Sequence, residues 1–186
     1  MDLPALHAIA ERRFESHLRA VRDDQWGSPT PCTEWDVRTL VNHMVNEYLW
    51  VPELLGGATI AEVGDKFDGD VLGGDPLGTW SSVARAAQEA ITDTPPDKMV
   101  NVSWGQITAG EYVSQFVTDV AVHGWDLARG IGADDTIDRG LVEALLPGVE
   151  ANAADLAASG VFGQPVEVPA EADDQTRMLA LLGRRR

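Results

Sequence analysis

Residues 108–130, TAGEYVSQFVTDVAVHGWDLARG, decide the fold class of this chain of 186 residues. The stretch opens with Thr108 and, three residues later, Glu111, which is the capping-box pattern of a helix N-terminus. Apolar side chains then recur every three or four residues, the period of an amphipathic α-helix. Gly130 is a residue type that often ends a helix in the left-handed conformation. We therefore predict a long helix here, with an apolar face made of Tyr112, Val113, Phe116, Val117, Val120, Gly124 and Leu127.

The rest of the chain shows the same helical period, interrupted by loops rich in glycine and proline. Thr33 followed by Asp36 gives a second capping-box pattern, and Pro147 is expected to kink a later helix. We interpret residues 58–78 as a mostly irregular loop and residues 99–107 as a short strand-like stretch. The further predicted helices cover about residues 3–21, 33–56, 76–92 and 137–158, and a short last helix contains Met178, Leu179, Leu181 and Leu182.

Four or five long amphipathic helices in a chain of this length are typical of a helix bundle. The length suits one compact domain with a substantial core and is short for two. We therefore predict a single all-α domain over residues 1–186, a helical bundle with an additional C-terminal helix. Functional groups in such a fold lie between facing helices.

The composition is that of a globular and acidic protein. Lys and Arg total 14 against 30 Asp and Glu, so the formal net charge is −16, which disfavours binding to nucleic acid or to anionic membranes. No apolar run approaches the roughly 20 residues of a membrane span. The N-terminal residues lack a signal-peptide pattern, and a single cysteine excludes an internal disulfide. These features predict a cytoplasmic protein, and the apolar helix faces suit a monomer or a homodimer.

Two polar residues of the 108–130 helix fall beside its apolar face. Asp119 and His123 are four residues apart and therefore lie on one side of the helix. A carboxylate and an imidazole at this spacing can hold one divalent cation, and Asp126, one turn further on, could act as an outer partner of His123. A buried Asp–His hydrogen bond without metal is the alternative explanation of the pattern.

A third ligand is expected on the second helix, where His43 lies at the edge of the apolar face. His43, Asp119 and His123 would form a two-histidine, one-carboxylate site with positions left open for water or substrate. We expect Zn²⁺ to be the bound metal, and Fe²⁺, Ni²⁺ and Mn²⁺ fit the same ligands. His7 and His17 are rivals for the third position, although packing explains each of them more simply. No Glu-x-x-His motif is present, which excludes a ferritin-like di-iron site.

Two segments with histidines match a family pattern. Residues 30–43, TPCTEWDVRTLVNH, resemble the TPC-x-x-W-x-V-x-x-L-x-x-H segment of the mycothiol-dependent maleylpyruvate isomerase N-terminal family. Residues 119–128, DVAVHGWDLA, resemble that family's E/D-x-x-x-H-x-x-D-L segment. The stretches FGQPV at 162–166 and DQTR at 174–177 are similar to a largely uncharacterised actinobacterial subgroup. The resemblance covers nearly the whole chain.

The resemblance implies a DinB-like four-helix bundle, in which one histidine on the second helix joins an acid-x-x-x-histidine pair on a later helix. In this sequence these positions are His43, Asp119 and His123. It also implies a low-molecular-weight thiol, such as mycothiol, that reacts with a small-molecule electrophile. Asp119 stands where the family's isomerase carries Glu, and we expect this chain to lack that enzyme's C-terminal domain. Fold and metal site are therefore expected to carry over better than substrate.

Three functions remain open from the sequence. The first is a metal-dependent thiol transferase or isomerase, in which the thiolate reacts and Glu47 is a candidate proton acceptor. The second is a non-catalytic small-molecule binding or sensor protein that retains the metal site. The third is chemistry at Cys32, whose place just before the second helix favours a reactive thiolate. A small packed residue explains this cysteine more simply.

Overall fold

The computed structural model describes residues 2–159 and 162–186, and helices dominate it, as predicted. The described chain divides into two compact units, residues 2–135 and 136–186. A single domain over the whole chain stays a prediction. No helix in the described ranges is long and apolar enough to cross a membrane. The elements are α1 (Leu3–Ala20), a 3₁₀ turn (Asp23–Gln25), α2 (Val37–Gly56), α3 (Ile60–Val63), α4 (Pro76–Asp93), β1 (Met99–Val102), β2 (Gly105–Thr108), α5 (Ala109–Ile131), α6 (Arg139–Ala151), α7 (Ala153–Ser159) and α8 (Asp174–Leu181).

Helices α1, α2, α4 and α5 form a four-helix bundle within the first unit. Helices α1 and α2 each pack against both α4 and α5. Their apolar faces close on one core because the apolar residues recur at helical spacing. Aromatic rings fill its centre, with 4.3 Å between the ring centroids of Phe14 and Trp80 and 4.9 Å between those of Tyr48 and Phe116. The predicted bundle is confirmed, and α2 and α5, which carry the predicted ligands, are neighbours.

The start of α2 differs from the prediction. The helix begins at Val37, four residues later than Thr33. Its N-cap is Asp36, whose Oδ1 accepts a hydrogen bond of 2.8 Å from the backbone N–H of Thr39. A side-chain acceptor at the cap satisfies one of the N–H groups that a helix start leaves without a partner. The capping box predicted at Thr33 is therefore wrong.

Residues 28–36, the loop before α2, are held by their own hydrogen bonds. The backbone N–H of Val37 donates to the carbonyl of Ser28 at 3.0 Å, and Thr30 and Trp35 are joined by an N–H to O bond of 3.2 Å. Glu34 adopts a left-handed φ of 77°, which a continuous helix would not contain. Closure of this loop outweighs the local tendency to start a helix early.

Helix α5 begins as predicted and ends later. Thr108 and Glu111 form the capping box, with Thr108 N–H donating to Glu111 Oε2 at 2.9 Å and Glu111 N–H donating to Thr108 Oγ1 at 3.2 Å. The helix continues through Gly130 and is ended by Gly132, which takes a left-handed φ of 68°. The predicted stop at Gly130 is wrong, because the next glycine supplies that conformation.

The two less regular segments are more ordered than the sequence indicated. Within residues 58–78, the short helix α3 is capped by Thr59, so the interpretation of an irregular loop is only partly right. The strand-like stretch at residues 99–107 is a hairpin in which β1 and β2 pair antiparallel, with Met99 opposite Thr108. The hairpin leads directly into α5.

In the second unit, α6 packs against α7 and α8. The continuous helix predicted over residues 137–158 is wrong, because two helices meet at Asn152. The Asn152 side-chain amide donates to the carbonyl of Gly148 at 2.8 Å, and its backbone leaves helical geometry with a φ of −111°. Pro147 lies inside α6, so the break follows the asparagine rather than the proline.

Candidate metal centre

Side chains from α2 and α5 meet at the three predicted ligands. Nε2 of His43 lies 3.9 Å from Oδ2 of Asp119, and Nε2 of His123 lies 3.3 Å from Oδ1 of the same carboxylate. The two imidazole rings stand edge to face, with 5.1 Å between their centroids. Because one donor atom from each residue lies within 4.8 Å of the other two, a single cation can contact all three. That these residues bind a metal stays a prediction.

The three side chains lie at the boundary between the bundle core and solvent. The side chain of His43 is 27% exposed, that of Asp119 15% and that of His123 6%. A ligand can therefore approach from the His43 side, whereas His123 is enclosed. An open side of this kind is what a catalytic metal site needs for water or substrate.

Asp126 contacts the opposite edge of the His123 ring. Its Oδ2 lies 3.0 Å from Nδ1 of His123, and its side chain is completely buried. A carboxylate that accepts the Nδ1 proton leaves Nε2 free to act as a ligand and fixes the orientation of the ring. The outer partner predicted from the sequence is therefore in the required position.

Cys32 is an unexpected neighbour of this pair. Its Sγ lies 3.3 Å from Oδ2 of Asp126 and 3.7 Å from Nδ1 of His123. The sequence indicated a small packed residue as the simpler explanation of this cysteine, and the contact with His123 joins positions that are 91 residues apart. Cys32, His123 and Asp126 also form a second group of three donor atoms that lie within 4.8 Å of one another.

Gly130 lets the loop before α2 approach α5 closely. A Cβ atom at this position would lie 3.1 Å from the Cγ2 atoms of Thr30 and Val37 and 3.4 Å from the carbonyl oxygen of Pro29. Gly130 is one turn after Asp126, so both residues lie on the same side of α5. The close contact therefore holds the loop against the side of α5 where Cys32 meets Asp126.

Trp35 covers both imidazole rings. Its ring centroid lies 4.6 Å from that of His43 and 5.7 Å from that of His123. This tryptophan belongs to the same loop as Cys32. Its ring therefore packs against both histidines.

The electrostatic environment differs between the two histidines. Burial lowers the pKa of His43 to about 4, so its imidazole is neutral and offers a lone pair near pH 7. Burial also disfavours a charged His123, but the Asp119 carboxylate and the hydrogen bonds to Asp119 and Asp126 outweigh it and raise the pKa of His123 well above its usual value. A cation bound between these residues would take the place of that proton.

Glu47 lies one turn after His43 on α2 and is half-buried, so it is not a fully solvated surface carboxylate. Burial, and then the charge of Asp119, raise the pKa of Glu47 to about 7. Burial and the carboxylates of Glu47 and Asp119 also raise the pKa of Tyr112 above its usual value. The charge of the candidate ligand Asp119 therefore raises the pKa of both Glu47 and Tyr112.

The rival histidines of α1 lie elsewhere in the bundle. Nδ1 of His7 lies 2.6 Å from Oε1 of Gln88, and its Nε2 lies 3.1 Å from the hydroxyl of Tyr48. His17 is also buried. Within the described part of the chain, neither histidine belongs to a group of three donors that could hold a metal. The packing explanation of both residues agrees with these contacts.

Comparisons with known proteins point to one family. The sequence model described as the mycothiol maleylpyruvate isomerase N-terminal domain matches residues 7–128, which include both histidine segments. Uncharacterised proteins from two strains of Mycobacterium tuberculosis are each 30% identical over 142 residues, 74% of this chain and 72% of theirs. The crystal structure of a histidine-to-alanine mutant of the mycothiol-dependent maleylpyruvate isomerase matches with a TM-score of 0.67 at 16% identity. This match covers 86% of this chain and 71% of that one, and it shows a shared fold.

Proposed function

The chain belongs to the mycothiol maleylpyruvate isomerase N-terminal domain family, and from this we propose that it binds a divalent metal and uses a low-molecular-weight thiol in a transfer or isomerisation reaction. His43, Asp119 and His123 are the proposed ligands. The observation that carries the proposal is the convergence of these three donors at a side of the bundle that solvent can reach. Mycothiol is the proposed thiol, and a small electrophile is its reaction partner.

The residues present fit such a cation. Two imidazoles and one carboxylate form a donor set typical of zinc, so Zn²⁺ is proposed ahead of Ni²⁺, Fe²⁺ and Mn²⁺. The neutral His43 needs to lose no proton to act as a donor. The contact between His123 and Asp126 is the second hydrogen bond that metal-binding histidines usually make.

Each neighbouring residue has a proposed task in the reaction. A bound cation would supply the Lewis acidity that favours the thiolate form of a thiol near neutral pH. Glu47, one turn beyond His43, accepts the thiol proton. Asp126 holds the ring of His123, and Trp35 shields one side of the site from water. The exposed edge of His43 leaves the approach for thiol and electrophile.

Metal content tests the proposal. Wild-type protein is purified, reconstituted with Zn²⁺ and analysed by plasma mass spectrometry beside His123→Ala and a control, His17→Leu, which replaces a buried histidine outside the site. We expect about one equivalent in the wild type and the control, as for a single three-ligand site, and little in His123→Ala. Negligible metal in all three would leave Asp119 and His123 as a hydrogen-bonded pair.

Turnover separates an enzyme from a binding protein. Metal-loaded wild-type protein is incubated with mycothiol and a panel of small electrophiles, and thiol consumption is followed. Glu47→Gln is expected to retain metal and to lose most of the rate, because the amide cannot accept the proton. Thiol binding without consumption would favour a non-catalytic sensor that retains the metal site. A cytoplasmic location suits either function, because the proposed thiol must be kept reduced.

A further inference from the structure

The Cys32 thiol is close to the candidate metal centre without belonging to the proposed ligand trio. Its Sγ donates to Oδ2 of Asp126 at 3.3 Å, and Nδ1 of His123 lies 3.0 Å from this same oxygen. Two donors from distant parts of the chain therefore meet at one carboxylate oxygen. Asp126 is completely buried and His123 almost so, whereas Cys32 is partly exposed.

A buried carboxylate keeps its orientation only through the groups that contact it, because water cannot replace a lost donor. The terminal bond of an aspartate side chain has a broad rotamer preference, so the contacts of the carboxyl group decide how far it can rotate. A second donor on the same oxygen narrows that rotation. The thiol is therefore placed to hold Asp126 in the orientation that His123 requires.

The position of the thiol is itself secured by the protein. The loop before α2 is closed by backbone hydrogen bonds, one of them from the N–H of Trp35 to the carbonyl of Cys32 at 3.0 Å. Gly130 permits this loop to contact α5, where even a methyl group would lie 3.1 Å from Thr30 and Val37. The contact between Cys32 and Asp126 thus rests on two separate packing features.

We propose that Cys32 is a positioning residue, which donates its thiol hydrogen to Asp126 and thereby orients the imidazole of His123 toward the metal site. The consequence for metal affinity rests on the proposed function, whereas the link between Cys32, Asp126 and His123 does not. The same three residues could instead hold a second cation, with Cys32 as a thiolate ligand. The two arrangements differ in whether the thiol keeps its proton.

Infrared spectroscopy tests the first link in the full-length protein without added metal. Because the chain has one cysteine, its S–H stretching band belongs to Cys32 alone. We expect a single band at lower frequency than that of a free thiol, and a shift to higher frequency in Asp126→Asn, whose neutral amide is a weaker acceptor. An absent S–H band, or the same frequency in both proteins, would overturn the proposal.

The second link is tested at His123 with Cys32→Ser, which keeps a donor, and Cys32→Ala, which removes it. In ¹⁵N-histidine-labelled protein without added metal, exchange of the His123 Nδ1 proton with water is expected to be faster in Cys32→Ala than in the wild type. Cys32→Ser should restore slow exchange, a rescue that loss of packing alone would not give. Equal exchange in all three proteins contradicts the proposal.

Zn²⁺ titration then measures the consequence. We expect Cys32→Ala to weaken binding about fivefold, less than the roughly 10- to 100-fold typical of removing a direct partner of a ligand, and Cys32→Ser to restore it. A second Zn²⁺ equivalent in the wild type that Cys32→Ala loses would instead make Cys32 a ligand. If the wild type binds no Zn²⁺, the proposed function fails, and the infrared and exchange measurements still decide the role of Cys32.

Discussion

The carboxylate of Asp126 lies 3.0 Å from Nδ1 of His123 and is completely buried. At the other nitrogen of the same ring, Asp119 lies 3.3 Å from Nε2 and is 15% exposed. One imidazole is thus held between two carboxylates of its own helix, one enclosed and one open to solvent. The exposed carboxylate is suited to bind a cation, whereas the enclosed one is suited to orient the ring.

This difference predicts the effect of Asp126→Asn, which keeps the shape of the side chain and removes its charge. We expect Zn²⁺ affinity to fall by about 10- to 100-fold, the usual effect of losing a carboxylate partner of a metal-binding histidine. Isothermal titration calorimetry measures the affinity, with Asp68→Asn at an exposed position as the control. Equal affinity in both variants would mean that Asp126 does not orient the ligand.

The observed start of α2 predicts that two nearby substitutions differ in their effect. Asp36→Ala removes the side-chain acceptor for the Thr39 N–H and is expected to cost about 1 kcal/mol in the free energy of unfolding. Thr33→Ala, at the predicted but unused cap, is expected to change it by less than about 0.5 kcal/mol. Urea unfolding followed by circular dichroism compares them at neutral pH. A larger loss for Thr33→Ala would place the functional cap at Thr33.

The Asp36 cap should also depend on pH in a defined direction. Hydrogen bonds from Thr39 hold the pKa of Asp36 below its usual value. The cap therefore contributes its full stability above the ordinary pKa of an aspartate, and this contribution disappears as the pH falls through the folded-state pKa. The difference between wild type and Asp36→Ala should shrink at low pH.

Features encoded by nearby residues could be predicted from the sequence. The period of apolar residues is a local signal, so the four bundle helices were predictable, as was the capping box at Thr108. The pairing of Asp119 with His123 follows from helical spacing alone. His43 lies beside this pair because α2 and α5 are neighbours in the bundle. The position of His43 at the edge of the apolar face of α2 indicated that it faces an adjacent helix.

Features that depend on contacts between distant segments could not be predicted in this way. Cys32 reaches His123 across 91 positions through a loop whose closure has no periodic signal. The role of Gly130 has no local signal, because a glycine that ends a helix and a glycine that permits close packing have the same local sequence pattern. The start of α2 differs from the prediction because the hydrogen bonds of the loop outweigh the capping box at Thr33.

The buried His17 predicts a loss of stability in mild acid. Burial, reinforced by the positive charge of Arg13, lowers the pKa of His17 to about 4, although Asp134 acts in the opposite direction. The unfolded chain takes up a proton near the ordinary histidine pKa of about 6.5, and the folded chain does so only near 4. Folding stability should therefore fall as the pH decreases from 6.5 toward 4, and this loss is absent at pH 7.

His17→Leu tests this origin of the pH dependence because leucine does not titrate. The free energy of unfolding is measured by urea titration at several pH values between 7 and 4. We expect the curve of the variant to fall less steeply than that of the wild type, since the carboxylates contribute equally to both. Ser16→Ala, a neighbouring change without a titratable group, should keep the wild-type slope. Parallel curves for His17→Leu and the wild type would contradict the prediction.

Gly130→Ala tests whether close packing of the loop before α2 against α5 requires a glycine. Alanine is the better helix former by about 1 kcal/mol, so local propensity alone predicts a more stable protein. The added Cβ would lie 3.1 Å from Thr30 and Val37 and 3.4 Å from the backbone of Pro29, and overpacking of this kind typically costs about 1–3 kcal/mol. We therefore expect a net loss of roughly 1 kcal/mol in urea unfolding, together with weaker Zn²⁺ binding as the loop moves away from Asp126.

A matched change separates this packing effect from helix propensity. Gly56 lies at the end of α2, where an added Cβ would have no neighbour within 4 Å, so Gly56→Ala should leave stability unchanged or slightly raised. It should also leave Zn²⁺ affinity unchanged, because the loop before α2 is not disturbed. A gain in stability for both variants would show that the loop yields to the methyl group at Gly130. In that case the position of Cys32 against α5 would not depend on the glycine.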